Sequence, residues 1–425
     1  MLQKLQELSD DPIRVGLVGA GAMGKGIAWQ VSHTPGMRLT FIGDLNLEAA
    51  SETARQIGLN PVETDGDTIP DVSDKDVLVT TNSLGLLRQN DKLGMRAFAE
   101  ATNAIAAACD YCLSAIAGGM HVILMNAEVD LVYGPLLQRE AEKHNVIVTS
   151  DAGDQHGVLM NMIEEIKMWG FDIVQAGNIK GFLDRYATPE SIRFEAEKRN
   201  LSPVQCCAYT DGTKLNIEMA LLCNELGLTP FVDGMEGPRC ANVTEALDLF
   251  DFDAYGGHGR VDYILGAEPG GGVYVVGRCD DTFQHPYLAY YKLVNKGPYY
   301  LFYRPYHLCH LETTGAIAKA VLHGESILTQ KAGSVADVYA YAKTDLKAGQ
   351  AVEHGIGGAE CYGLIRSRAD ALADDHLPIS HLEGEGDRLP VLKRDIGRDE
   401  PVKCSDVELP DIAFHHLLKR QAEIG

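Results

Sequence analysis

The sequence predicts an α/β protein: a doubly wound parallel sheet first, then a mixed α+β domain, then a small β-rich C-terminal unit. Three observations predict it. The first 157 residues alternate apolar runs with helical segments closed by glycine, at 13–18, 38–43, 76–82, 121–124 and 146–151. Alternation of that kind folds as parallel strands joined by right-handed crossovers. The pattern changes after Gly157, and the stretch 235–294 is glycine-rich with strand-like pieces at 272–277 and 288–294. Beyond Gly333 only short β pieces and acidic loops follow. These shifts give domains at 1–157, 158–333 and 334–425, with 311–333 expected to pack back on the first domain.

The first strand runs into Gly19-Ala20-Gly21-Ala22-Met23-Gly24, which opens a helix reaching His33. In this turn the first glycine allows the sharp bend, the second lets backbone approach a pyrophosphate, and the third lets helix and strand pack closely. Free N–H groups and the dipole at the helix start then favour a dianion. Asp44 ends the second strand, twenty positions after Gly24, where a carboxylate can bond ribose hydroxyls. The pattern reads as a Rossmann-type dinucleotide site. Later strands leave the sheet at Thr80, Thr81 and Asn82, at Asn126 and Glu128, and ahead of Asp154, so these residues are further candidates to meet the cofactor. Asp154 and His156 are expected to shape the nicotinamide pocket; His258 receives no role.

Composition narrows the function. A net charge of −23 repels a nucleic-acid backbone, and no lysine or arginine block stands out as a docking face. No apolar run is long enough to span a bilayer, and the first eleven residues are polar and acidic, which leads to the expectation of a cytoplasmic protein. Ten scattered cysteines fit reduced thiols, and Cys109-x-x-Cys112 reads as two buried helical cysteines one turn apart.

The remaining elements follow in order. A short leading helix is predicted over 2–8, helices over 47–57 and 95–117, and, in the second domain, helices over 159–168, 190–199 and from Asp211 through Glu225, with a strand over 173–180. The stretch 299–308 is aromatic and extended, 313–323 is a helix, and 339–349 is a strand and turn. The longer helices of the second domain suggest an oligomer interface, and a homodimer or homotetramer is expected.

Three stretches, Gly177-Asn-Ile-Lys180-Gly-Phe-Leu-Asp184-Arg185, Asp211-Gly-Thr-Lys214 and Arg304-Pro-Tyr-His307-Leu-Cys-His310-Leu-Glu312, resemble the homoserine-dehydrogenase-related oxidoreductases with a C-terminal SAF-type module. One branch of these is the deoxyxylulose-phosphate reductoisomerase-like enzymes of isoprenoid synthesis. Asp345-Leu-Lys-Ala-Gly349 and Leu392-Lys-Arg-Asp-Ile396 resemble pieces of the SAF module. The resemblance implies NAD(P)H-dependent reduction of a small, anionic, phosphorylated carbonyl substrate, with homoserine-type or sugar-phosphate and polyol substrates as alternatives. A sensor or assembly protein that binds a dinucleotide or carbohydrate without turnover is the alternative of another class.

Carbonyl reduction builds negative charge on oxygen and needs a cation or proton donor there. Lys180, Lys214 and Asp211 are the catalytic candidates. Arg239, His307, His310 and Asp184 are candidates to hold the substrate, with Asp184–Arg185 readable also as a local ion pair. A divalent metal on His307, His310 and Glu312 matches no specific ligand spacing and stays unassigned. Cofactor arguments conflict: Asp44 repels a 2′-phosphate and favours NAD(H), whereas the resemblance tips the choice to NADP(H), with Arg38 and Lys25 as neighbouring cations. The terminal unit is expected to be auxiliary to hydride chemistry.

Overall fold

The computed structural model of the chain describes residues 1–199 and 201–424; Gly425, the last residue of the expected terminal unit, lies outside them. The described chain gathers into two compact units, one of Met1–Gly157, Leu308–Thr329 and Leu417–Gly425, the other of Val158–His307 and Gln330–His416. The stretches 158–333 and 334–425 are thus each divided between the two.

The first unit is a seven-stranded parallel sheet. Its strands are β1 (Ile13–Val18), β2 (Met37–Gly43), β3 (Asn60–Glu63), β4 (Asp76–Thr80), β5 (Ala97–Glu100), β6 (His121–Leu124) and β7 (Val148–Ser150). They lie in the order β3-β4-β2-β1-β5-β6-β7, so the winding reverses beside β1 and leaves a crevice at the carboxyl ends of β1 and β5. The inner strands are buried on both faces, as the unbroken apolar runs require. No helix among the described residues is long and apolar enough to cross a membrane.

The second unit holds a six-stranded mixed sheet of β8 (Asp172–Lys180), β9 (Thr229–Pro230), β10 (Arg260–Leu265), β11 (Val273–Arg278), β12 (Asn295–Lys296) and β13 (Tyr299–Arg304), in the order β12-β13-β11-β8-β10-β9. At its centre lie β11 and β8, which are antiparallel, and β10 runs parallel to β8 on the other side. Ile179, Ile264, Tyr274 and Val276 pack with Val243, Leu247, Phe250 and Phe252 in a core on one face. Against β8 runs the helix Thr213–Leu226, where Asn178 donates to Glu218 over 3.2 Å. That helix is also held by the antiparallel pair β14 (Ala336–Ala342) and β15 (Cys361–Ser367). Thr213 and Asn216 accept the edge N–H groups of Gly363 and Ile365, at 2.9 and 2.8 Å.

Several elements depart from the sequence expectations. The stretch 95–117 is not one helix: β5 comes first and only Ile105–Ala117 is helical. Alanine-rich composition hid a strand whose four residues are all buried, where neighbours decide conformation over propensity. The piece at 288–294 contains no strand, but the end of the helix His285–Tyr290 and a turn with Lys292 at φ 59°. β3 and β10 were missed, as was the helix Ala127–His144, which contains Pro135.

Proline in a helix interior normally breaks the hydrogen-bond ladder. Here Gln421, on the terminal helix Ala413–Ile424, bridges the damaged turn: its amide accepts from Leu136 N–H at 3.0 Å and donates to Val132 carbonyl at 2.9 Å. Those two groups would ordinarily bond each other. Gln421→Ala should leave both part-buried groups without this partner and lower unfolding stability by about 1–3 kcal/mol, read by denaturant titration; an unchanged midpoint would refute the bridge.

Candidate functional site

The glycine turn behaves as its spacing requires. Gly19 has φ 102°, and a Cβ there would sit 2.5 Å from the Ala101 carbonyl oxygen. At Gly24 a Cβ would meet the Gly19 oxygen at 1.8 Å. Around Gly21, by contrast, a Cβ would meet nothing within 4 Å, so the space a pyrophosphate needs is open. Gly21 caps the helix Ala22–His33 without any side-chain bond to its first N–H groups, and Ala22, Met23 and Gly24 form its first turn. This is a cradle for a dinucleotide phosphate.

Asp44 is held in place. Its carboxylate accepts from Ala20 N–H at 2.7 Å and Asn46 N–H at 2.8 Å, which fixes an anion beside the turn. Arg38, the cation offered nearby, pairs instead with Asp74 and with the Ser73 carbonyl. Among the other cofactor candidates, Thr80 accepts from Asn82 N–H at 3.0 Å. Asn82 and Asn126 cap the helices that follow them, and Thr81 is exposed. Glu128 is half-buried in the first turn after Asn126.

Two acids at the carboxyl edge of the first sheet carry more signal. Glu100 ends β5, directly beside Val18 of β1, and is fully buried. Burial pushes its carboxyl up to about 7, against the pull of Thr102, whose N–H it accepts at 2.9 Å. Asp151, just after β7, is likewise pushed to about 7 by burial, although it accepts from Gly153 and Asp154 N–H at 2.6 and 3.1 Å. Asp154, also buried, accepts from Gln155 N–H. Carboxyls neutral below about pH 7 can donate a hydrogen bond or a proton where ionised ones would only repel a substrate anion. Sequence reading missed Glu100 because it lay inside the presumed helix.

His310 lies in the first unit, its ring against Gly26 of the phosphate-turn helix, where a Cβ would approach within 2.3 Å. Burial lowers its pKa. Glu312 accepts Leu308 N–H at 2.9 Å, and His307 belongs to the second unit.

In the second unit the candidate cations converge on one sheet edge. Lys180 is the last residue of β8 and pairs with Leu265, the last of β10. Arg239 bridges the same Leu265 from the other side. Tyr263, two residues earlier, is largely buried; burial raises its pKa, and the charges of Arg185 and Arg239 oppose that rise. The loop carrying Arg239 is pinned by buried Asp262, which accepts from Glu236, Gly237 and Tyr263 N–H at 2.8–3.0 Å and is pushed by burial to about 6. Asp184 accepts Tyr186 N–H, and Arg185 stacks 5.1 Å from the centre of the Tyr362 ring, so each has a partner other than its neighbour.

Lys214 is buried in the first turn of the helix Thr213–Leu226. Asp211, read as catalytic, is occupied otherwise: its carboxylate lies 2.9 Å from the ammonium of Lys343, accepts Thr213 N–H at 2.8 Å, and is buried. Lys343 also donates to the carbonyls of Ala187 and Gly358 at 2.7 and 2.6 Å, so all three of its N–H donors are used. Nothing in the sequence flagged Lys343.

The pH dependence of stability should report Glu100. Its pKa is raised in the folded state, so the unfolded chain releases this proton first as pH rises. Stability therefore falls between about pH 4.5 and 7 and the loss is complete above. Glu100→Gln keeps an acceptor for Thr102 and removes the loss. The variant should gain on the order of 3 kcal/mol over the parent at pH 8 and nothing at pH 4. Equal differences at both values would refute a buried, proton-retaining Glu100.

Residues 153–313 match the family described as Oxidoreductase DRL, catalytic domain. Solved structures similar to the chain include a probable dehydrogenase from Thermotoga maritima, at 13% identity, covering 76% of this chain and 92% of that one, with a TM-score of 0.44. A myo-inositol dehydrogenase from Corynebacterium glutamicum ATCC 13032 is similar at 10% identity, 74% and 89% coverage and a TM-score of 0.39. No curated protein matches. Neither the homoserine-dehydrogenase likeness nor the SAF-like reading of the terminal stretch has a counterpart in these comparisons. The catalytic-domain match begins at Gly153, just past the dinucleotide-type sheet, and the chain is an NAD(P)-dependent oxidoreductase.

Proposed function

We propose that the chain reduces a small polyhydroxylated carbonyl compound bearing an anionic group, of the sugar-phosphate or polyol type, and that NADH is its preferred donor. The observation that carries the substrate class is the placement of Lys180 and Arg239 on either side of Leu265, with Arg185 and Arg239 both acting on Tyr263. Cations drawn from two segments, the end of β8 with its following loop and the loop of Arg239, to one sheet edge suit an anion that a single side chain would hold weakly. The bound nicotinamide would supply the hydride. What the chain supplies is orientation, cationic stabilisation of the developing alkoxide by Lys180 or Lys214, and a proton from one of them.

The donor preference rests on Asp44. A carboxylate fixed by Ala20 and Asn46 stands where a 2′-phosphate would lie, and Arg38, which could have offset it, is engaged by Asp74. This reverses the lean to NADP(H) that the resemblance gave. A homoserine-type substrate would lack the phosphate that the arginines suit, and the reductoisomerase-like activity remains one member of the proposed class.

Oxidation of NADH and of NADPH, followed by absorbance against a panel of tetrose, pentulose and deoxyxylulose phosphates, polyol-derived ketones and aspartate semialdehyde, tests the reading. Turnover is expected with a phosphorylated ketose or aldose, at higher kcat/KM with NADH; confinement of turnover to aspartate semialdehyde would overturn the substrate class, and an NADPH preference the donor. Lys180→Ala and Lys214→Ala should each bind NADH as the parent does. At least one should lose roughly 10²–10³-fold in kcat, as for a lost oxyanion donor. Near-normal turnover and KM in either folded variant removes that lysine from the site.

A further inference from the structure

The loop that leaves β8 at Lys180 carries Asp184 and Arg185, and the terminal stretch of the chain fastens its far end. Tyr186 hydroxyl donates to both carboxylate oxygens of Asp399 at 3.0 Å, and Tyr362 hydroxyl donates to the same carboxylate at 2.9 Å. The Arg398 guanidinium lies 3.8 Å over the Tyr186 ring. Tyr362 in turn stacks on Tyr341 and meets the edge of Tyr186, and over its ring sits Arg185. One residue further, Ala187 carbonyl takes the buried Lys343 ammonium. Asp399 itself has φ 65°, a conformation that residues other than glycine seldom adopt, held by its N–H bond to Ala342 carbonyl at 2.9 Å.

Resting on the anionic-substrate reading above, we propose that Asp399 is a positioning residue: by taking the hydroxyls of Tyr186 and Tyr362 on one carboxylate, it holds the 181–188 loop so that Arg185 is presented over Tyr362 to the substrate's anionic group. The geometry explains why two tyrosines from distant parts of the chain share one acceptor. An arginine on an exposed loop otherwise loses rotamer and backbone freedom each time it meets an anion. A loop ordered in advance avoids that cost, and the stacked ring limits the guanidinium to a narrow range of positions. The terminal stretch then governs substrate affinity without touching the hydride path.

The test is limited trypsin digestion of the full chain, with the fragment ending at Arg185 quantified by mass spectrometry, over a titration of inorganic phosphate as the anion probe. In the parent, cleavage after Arg185 should be slow and phosphate should slow it further. Asp399→Ala should release the loop and raise that cleavage rate by roughly tenfold, since local opening becomes cheaper than global unfolding. The phosphate concentration giving half-protection should rise about fivefold as preorganisation is lost. Tyr186→Phe, which removes only a hydroxyl, should change both in the same direction and covers the case in which Asp399→Ala fails to fold. Asp399→Asn, which keeps an acceptor, should fall between alanine and the parent. NADH affinity should be unchanged in all three. Cleavage within twofold of the parent in Asp399→Ala and Tyr186→Phe overturns the clamp. Faster cleavage with an unmoved phosphate curve overturns the presentation of Arg185. Absence of turnover on every phosphorylated substrate would remove the reductase reading alone and leave the loop clamp to be judged by proteolysis.

Discussion

The helix Thr213–Leu226 is the constraint on which the second unit depends. It is buried from Thr213 to Glu225, yet its sequence carries Thr213, Lys214, Asn216, Glu218, Asn224 and Glu225 among the apolar residues. Buried polar groups cost free energy unless bonded, and here several have definite tasks. Thr213 and Asn216 take the edge N–H groups of β15, Asn224 takes those of Val335 and Ala336, and Glu225 takes Lys331. A sheet edge that would otherwise face water or another chain is closed by side chains from a helix. Just before the helix, Asp211 meets Lys343 in a pair whose loss would strand a buried charge, a change that typically costs about 3–5 kcal/mol.

That arrangement separates two roles that look alike in the sequence. Asp211 and Lys214 stand three positions apart in Asp211-Gly-Thr-Lys214, and both are buried. The acid serves structure: burial raises its pKa, the Lys343 ammonium opposes the rise, and the carboxylate joins Lys343 to the Thr213 N–H. A strong partner on a buried group is as much a sign of a fastener as of a catalyst. The same pair joins the 334–425 stretch to the unit that carries the oxidoreductase match, so that stretch cannot be lifted off as an appendage in the way its low-information sequence suggested.

Legibility followed how local the determinant was. The turn at Gly19, Gly21 and Gly24 could be read because each glycine answers a steric demand within a few residues: a positive φ, an open space, a close approach to a carbonyl. The strands of the first sheet could be read where they are long apolar runs. β5 could not, because Ala97-Phe-Ala-Glu100 is four residues of unremarkable propensity made a strand by β1 and β6 on either side. With it went Glu100, whose significance lies wholly in its burial. Lys343 and Asp399 were invisible for the related reason that each has a decisive partner far off in the chain, Asp211 for Lys343 and Tyr186 for Asp399. Helix Ala127–His144 was hidden by a proline whose damage is repaired by Gln421, from the far end of the sequence.

In a chain with a net charge of −23, the anion site proposed above requires that nearby acids be kept from competing. At physiological ionic strength charges more than about 8 Å away are largely screened, so the local arrangement decides. Two acids act as fasteners of the loops that carry Arg185 and Arg239. Asp262 spends its carboxylate on three backbone N–H groups and so shapes the Arg239 loop. Asp399 spends its own on two tyrosine hydroxyls and so shapes the Arg185 loop. A carboxylate saturated with hydrogen-bond donors projects less negative potential than a free one, and its geometry cannot relax towards the arginine it supports. In the proposed reading these two acids shape the loops of Arg185 and Arg239 through backbone and tyrosine donors, and the charge of the arginines would then serve the anionic substrate.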